Sequence, residues 1–161
     1  MQLLQAIDGD QMQSLVSIDA PNHINNTLIT TTHGRSILLQ FDETTPRPYN
    51  RLQTICGTQG FVHQYPLPTV QIGADVCLTG KEAEDYVATF VPDVYQRLID
   101  EGKRRGVKNL MNYIMDCRLM NALLTGQAFD ISTQDAALWS SLCELTARSA
   151  QHGGERVSVG L

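Results

Sequence analysis

The stretch HINNTLITTTHGRSILLQFDE, residues 23–43, decides the fold. Its two halves, INNTLITTT and RSILLQF, are rich in β-branched and apolar residues, and His33-Gly34 punctuates them. A tight turn there makes the two runs an antiparallel hairpin. Upstream, QSLVSIDA (13–20) has the same character, joined to the hairpin through the short connection Ala20-Pro21-Asn22. Downstream, RLQTICG and GFVHQYP flank a turn at Gly57-Thr58-Gln59-Gly60, and shorter extended pieces follow at 68–72 and 75–78. About five to seven strands are therefore expected. Most are neighbours in sequence, so the sheet should be largely antiparallel.

The second half changes period. Residues 81–90 begin a helix, and Pro92 breaks it and suits the first turn of another reaching about Arg104. Leu110, Met111, Ile114, Met115, Leu119, Ala122 and Leu123 recur at helical spacing, giving a helix that ends near Gly126. Ser132 with Asp135 resembles a capping box, with Leu138, Leu142 and Leu145 as the stripe behind it and a stop at His152-Gly153-Gly154. RVSV (156–159) is a candidate last strand, and residues 1–8 read as the tail of a helix ending at Gly9. Strands grouped before helices imply an α+β fold: one open sheet with helices on one face. The chain reads as one domain, 1–161, whose opening helix is expected to continue from an upstream segment.

Composition narrows the function. The 161 residues carry 12 basic and 17 acidic side chains, net charge −5, so no basic face of the extent nucleic acid requires is expected. Lys103, Arg104, Arg105 and Lys108 read as the solvated end of a helix, where cations favour the macrodipole. No apolar run is long enough to span a membrane, and no signal-peptide order is present at the start. A soluble chain is expected, with the compartment open between cytoplasm and periplasm. Cys56, Cys77, Cys117 and Cys143 have neither CxxC nor zinc-ligand spacing and read as buried free thiols. His33 reads as a turn residue, His152 as a helix end and His23 and His63 as strand residues, so the four are scattered and no metal site is expected. Trp139 reads as core or interface, and Asp130 and Asp135 as turn and capping residues.

The candidate site is TTPRPYNR, residues 44–51. Pro46 and Pro48 bias their predecessors toward extended geometry, fix their own φ and remove two backbone donors. Arg47 is thereby held on a stiff strut, and its planar fork suits sugar oxygens or a carboxylate. Tyr49 supplies a phenol that donates as it stands and acts as a base only if nearby cations lower its pKa. Residue types alone leave two readings open: a substrate-contacting strut, or a rigid loop with a surface arginine and a packed tyrosine.

The segment RSILLQFDETTPRPYNRLQTICGTQGF resembles one that family 109 of the glycoside hydrolases shows as a strand, an S-P-R-P-Y loop and S-G-T-x-G-F. NYIMDCRLMNALLTGQAFDISTQDAALWSSLCELTARS is similar to that family's M-D-Y-R-L…L-x-x-G-x-P-x-D…D-A-A-x-W-S…L-x-E-L-S. AIDGDQMQSLVS resembles its I-N-R-G-D-x-x-D-Y-L-V-S. The matches run along nearly all of the chain in the same order.

The resemblance implies membership of the glucose–fructose oxidoreductase and inositol dehydrogenase superfamily. Such proteins have an N-terminal Rossmann domain that keeps NAD bound and a C-terminal α/β sheet domain. It also implies α-linked N-acetylgalactosaminides as substrates. Their chemistry is oxidation of a ring carbon, elimination of the aglycone, addition of water and return of the hydride. This chain covers the C-terminal half of that plan. It contains no G-x-G-x-x-G, so the cofactor-binding residues are expected in the missing N-terminal domain and NAD only in the full-length parent. The resemblance places the proline loop at the substrate pocket, making Tyr49 the catalytic candidate and Arg47, Tyr49 and Lys108 the substrate-binding ones. Two departures stand out. The family's H-G-G-M-D aligns with Lys108–Asn112, so a histidine has become Lys108 and an aspartate Asn112; an unshifted lysine cannot shuttle a proton near neutrality. The family's long insertion before its N-T-T-I-I strand is replaced by the short connection at Pro21. Three functions follow: the substrate-binding and dimerisation domain of such a glycosidase, the same domain of a sugar or polyol dehydrogenase, or a non-catalytic interaction domain. The expected partners are the carbohydrate, the chain's own N-terminal domain and a second copy meeting it through the sheet.

Overall fold

The computed structural model describes residues 2–48, 50–51, 53–129 and 131–160. The chain forms two compact units, Met1–Pro46 with Ala128–Leu161, and Arg47–Gln127.

The first unit is built on the hairpin. Strands β1 (Met12–Ala20), β2 (Ile24–Thr31) and β3 (Ser36–Phe41) form an antiparallel meander. Gly34, at φ 78°, makes the turn, donating its amide to the Thr31 carbonyl at 3.0 Å. Leu15 faces Ile29, which faces Ile37 on the next strand, so these three share one face. A helix covers that face. It runs Thr133–Gln151, the fifth helix of the chain (α5), and presents Leu138, Trp139, Leu142 and Leu145 to Met12, Leu15, Ile29, Val157 and Val159. Burying Leu15 and Ile29 stabilises the fold by about 1.5–3 kcal/mol each. Trp139 is thus a core-packing residue.

α5 starts where the capping box predicts. The Ser132 hydroxyl accepts from the Asp135 amide at 3.0 Å, and the Asp135 carboxylate accepts from the Ser132 amide at 3.1 Å. After the helix stops at Gly153 and Gly154, both at positive φ, the chain returns as the two-residue strand β8 (Val157–Ser158) beside β1. Where β8 ends, a side chain continues the ladder. The buried Ser149 hydroxyl accepts from the Ser17 amide at 2.8 Å and donates to the Glu155 carbonyl at 2.6 Å.

Among the described residues of this unit, no helix is found packed on the opposite face of the sheet. Val16, Leu28 and Leu38 lie in direct register across three strands, with Leu38 73% exposed and Ile18 59%. Ser14, Ala20, Ile24, Asn26, Thr30, Ser36, Gln40 and Ser158 share this face, which carries no charged residue among the described strand positions.

The second unit is a meander of four short strands, β4 (Thr54–Gly57), β5 (Gly60–His63), β6 (Thr69–Ile72) and β7 (Val76–Thr79). Ile55, Val62, Val70 and Leu78 form one cross-strand row. Helix α2 (Lys81–Ala88) leaves β7 through Gly80, and Val70 and Ala83 are both buried. Helix α3 (Asp93–Arg104) begins after Pro92. Helix α4 (Leu110–Thr125) is capped by the Asn109 side chain, which accepts from the Asn112 amide at 3.1 Å, and ends at left-handed Gly126. α3 and α4 touch at Gly102, where a Cβ would lie 2.7 Å from Leu110 Cδ2. The Arg118 guanidinium sits 5.3 Å from the Tyr95 ring centre, a cation–π contact.

The α+β class and every expected helix are observed, but the strands form two four-stranded sheets where one open sheet was expected. The reason lies in the stretch between β3 and β4. With Pro46 and Pro48 lacking donors, residues 42–53 form no strand ladder among those described, and the meander restarts at Thr54. Two smaller expectations are corrected. The cysteines are free, but Cys56, Cys77 and Cys143 are exposed and Cys117 half-buried, because these thin elements have only one covered face. His23 lies in a turn at φ 60° and not on a strand.

Candidate functional site

The proline loop is anchored at its entry. The Asp42 carboxylate accepts from the Thr44 and Thr45 amides at 3.2 and 3.0 Å, and the Thr44 hydroxyl donates to the Asn22 carbonyl at 2.7 Å. Asp42 thus forms an Asx turn that sets the direction in which Pro46 leaves. Arg47 is exposed on the irregular segment that follows. Tyr49 lies outside the described residues. Lys108 is exposed in the turn joining α3 to α4, directly before the cap Asn109. That turn is well defined: Val107 donates its amide to the Gly102 carbonyl at 2.9 Å, and Gly106, at φ 69°, donates to Lys103 at 3.1 Å. Arg47 and Lys108 therefore belong to one compact unit. Asn112, the other departure, is exposed in the first turn of α4.

A second polar centre was not anticipated from the sequence. Asp10 is fully buried at the end of helix α1 (Gln2–Asp8) and the hairpin turn. Its carboxylate accepts four hydrogen bonds: from the Thr31 and Thr32 hydroxyls at 2.7 and 2.9 Å, the His33 amide at 2.9 Å and Arg35 Nη1 at 2.8 Å. Arg35 also forks onto Asp8, and His33 Nδ1 lies 3.3 Å from the same carboxylate. Burial pushes the Asp10 carboxyl up, but Thr31, Arg35, His33 and Thr32 together hold it well below the usual carboxylate range. Arg35 likewise draws Asp8 down. Ligand atoms of Asp8, Asp10 and His33 lie within 4.8 Å of one another, the spacing of a metal set. The Arg35 guanidinium already supplies the counter-charge there, so the cluster works as a clamp between α1 and the hairpin. Its sequence signal was D-G-D at 8–10 facing HGR at 33–35, a pairing visible only once the register is known.

The second unit also contains a cleft of about 440 Å³ between its sheet and α2, lined by Ile55, Val62 and Val70 on the floor and Ala83, Glu84 and Val87 on the wall.

The strand-to-helix junction that could receive a dinucleotide is Thr79-Gly80-Lys81, between β7 and α2. It has a single glycine, at φ 55°, and places Glu82 and Glu84 in the first helical turn. Carboxylates at a helix N-terminus repel phosphate, so these residues do not fit a pyrophosphate.

Two four-stranded antiparallel sheets and five helices among the described residues define an α+β fold. The model of the family described as glycosyl hydrolase 109, C-terminal domain, matches residues 9–160. The chain is 35% identical over 185 residues to an alpha-N-acetylgalactosaminidase of Bacteroides fragilis, covering 98% of this chain and 44% of that protein. It is 42% identical over 139 residues to glycosyl hydrolase family 109 protein 2 of Phocaeicola vulgatus, covering 84% and 33%. It is 30% identical over 195 residues to glycosyl hydrolase family 109 protein 1 of Bacteroides thetaiotaomicron, covering 98% and 42%. The chain belongs to the glycosyl hydrolase 109 family, in its C-terminal domain. It spans less than half the length of these curated relatives. Among the described residues no helix is long and apolar enough to cross a membrane.

Proposed function

We propose that this chain is the substrate-binding and dimerisation domain of an NAD-dependent glycosidase acting on an α-linked N-acetylgalactosaminide or a related sugar. The family match over residues 9–160 carries the reading, together with the activity named for the Bacteroides fragilis relative. In the full-length protein an N-terminal nucleotide-binding domain would hold NAD, which would supply hydride-transfer chemistry at a ring carbon of the sugar. This chain's part is to hold the sugar: Arg47 with its fork on hydroxyl or carbonyl oxygens, Lys108 with charge beside the leaving group, and Tyr49 as the proton-handling phenol. The test is hydrolysis of an aryl α-N-acetylgalactosaminide by the full-length protein in D₂O. Deuterium is expected at the ring carbon beside the oxidised one, because that proton is lost and regained; hydrolysis without exchange would overturn the mechanism.

Lys108, standing at the family's histidine position, favours a second reading, a sugar or polyol dehydrogenase. That enzyme would leave the glycoside intact and reduce NAD with a free sugar instead.

The uncharged row Val16, Leu28 and Leu38 supports pairing of two copies through the sheet, as apolar faces without charge lose little on desolvation. Sedimentation at about 100 μM is expected to give a dimer that Leu38→Glu converts to monomer. A wild-type monomer at that concentration would leave a non-enzymatic interaction role through this face without support as well.

A further inference from the structure

We propose that Thr44 is a positioning residue for substrate binding, acting through Arg47 by tying the start of the proline loop to the β1–β2 turn. The inference rests on the proposed role of Arg47 as a sugar-holding side chain, and it adds what aims that side chain. The β1–β2 connection is short, since Ala20 and Ile24 already face each other across the hairpin. Within it Asn22 and His23 both take left-handed backbone, at φ 66° and 60°. Two consecutive non-glycine residues in that region are uncommon, and asparagine and histidine are among the types that enter it most readily. The turn thus has a defined shape of its own, and its Asn22 carbonyl is a fixed point.

That carbonyl accepts from the Thr44 hydroxyl at 2.7 Å. The Thr44 amide donates to Asp42 Oδ1 at 3.2 Å, and the Thr45 amide donates to the same oxygen at 3.0 Å. Thr44 is therefore held twice, its backbone by the Asx turn of its own loop and its side chain by a separate element. The Asx turn shapes residues 42–45 locally but leaves that turn free to swing against the sheet. The Thr44 hydroxyl supplies the constraint that stops the swing. Pro46 follows with its φ fixed, so Arg47 stands three residues from the anchor, at most about 10 Å of chain. A planar guanidinium must arrive with the right direction as well as the right position to engage two oxygens. A swung loop therefore costs affinity even with every side chain of the loop intact.

Thr44→Val removes the hydroxyl while keeping the side-chain shape and the backbone amide. In the ¹⁵N-labelled full-length protein, the Arg47 amide is expected to be rigid in the wild type, more mobile on the ps–ns timescale in Thr44→Val, and close to wild type in Thr44→Ser. Thr44→Val should raise KM for an aryl α-N-acetylgalactosaminide about three- to tenfold with little change in kcat or melting temperature, and Thr44→Ser should restore it. In an Arg47→Ala background, Thr44→Val should add nothing to KM, because its effect passes through Arg47. Three results overturn this inference alone: an Arg47 amide indifferent to Thr44→Val, additive KM effects in the double variant, or an unchanged KM in Thr44→Val where Arg47→Ala raises it. An unchanged KM in Arg47→Ala, or no turnover of the glycoside, removes the reading of Arg47 and this inference with it.

Discussion

In the full-length protein, Tyr49→Phe is expected to lower kcat by about 10²-fold or more, with thermal unfolding moved by no more than about 2 °C. The physical basis is the loop's construction. Asp42 fixes the entry through the Thr44 and Thr45 amides, and Pro46 and Pro48 then remove the backbone freedom on either side of Arg47. Under the proposed function, restricting the backbone on both sides of Arg47 reduces the entropic cost of recognition. Removing only the phenolic oxygen deletes a proton donor or base and leaves the packing surface of the ring. Arg47→Ala should instead raise KM about tenfold or more with a smaller change in kcat, as expected for uniform binding. Arg47→Lys should not restore it, since a point charge does not reproduce the planar fork. Steady-state kinetics on the three variants decides the matter. A loss of stability in Tyr49→Phe that equals its loss of activity would make the loop scaffolding.

Asp10→Asn is expected to lower the melting temperature on the order of 10 °C. Each Asp10 oxygen receives two donors: Thr31 and Arg35 on one, Thr32 and the His33 amide on the other. Whichever way an asparagine is turned, its NH₂ group faces donors and leaves buried groups unsatisfied. The pH dependence has a definite sign. The folded-state pKa of Asp10 lies below its unfolded value, so its carboxylate contributes stability that is full above about pH 4 and lost as pH falls toward the folded pKa. Asp8 and Asp135, the latter lowered chiefly by the Ser132 hydroxyl, act in the same direction. Calorimetric melting temperatures between about pH 6 and 3 should therefore fall in the wild type and fall less steeply in Asp10→Asn. Parallel curves would show that the clamp does not depend on the Asp10 charge.

Some features were legible because they are local. The hairpin at His33-Gly34 needs only a turn glycine between two β-branched runs, and it is observed with Ile29 opposite Ile37. The α5 boundary needs only Ser132 and Asp135 three residues apart, and both reciprocal bonds are present. The α4 boundary needs Gly126, which is left-handed as expected. The family, likewise, was readable from ordered motifs that lie within continuous segments.

Other features depend on residues far apart in the chain. The Asp10 clamp joins residues 21 to 25 positions apart, so D-G-D and HGR carry no meaning separately. Ser149 finds the Ser17 amide across 132 residues, completing a ladder that the two-residue β8 is too short to complete. The exposure of Cys56 and Cys77 could not be judged from their apolar neighbours, because the covering layer over β4–β7 is a single short helix.

The sequence by itself determined the α+β class, the order of the elements, the helix caps and the family, since each rests on short-range stereochemistry or on contiguous motifs. Only the tertiary structure decided that the strands divide into two four-stranded sheets and that Trp139 packs into the core. It alone placed Asp10 beneath Arg35 and formed the cleft beside α2. Those outcomes follow from which surfaces meet across long sequence separations, and burial, desolvation and ion pairing are properties of the meeting surfaces and not of any one segment.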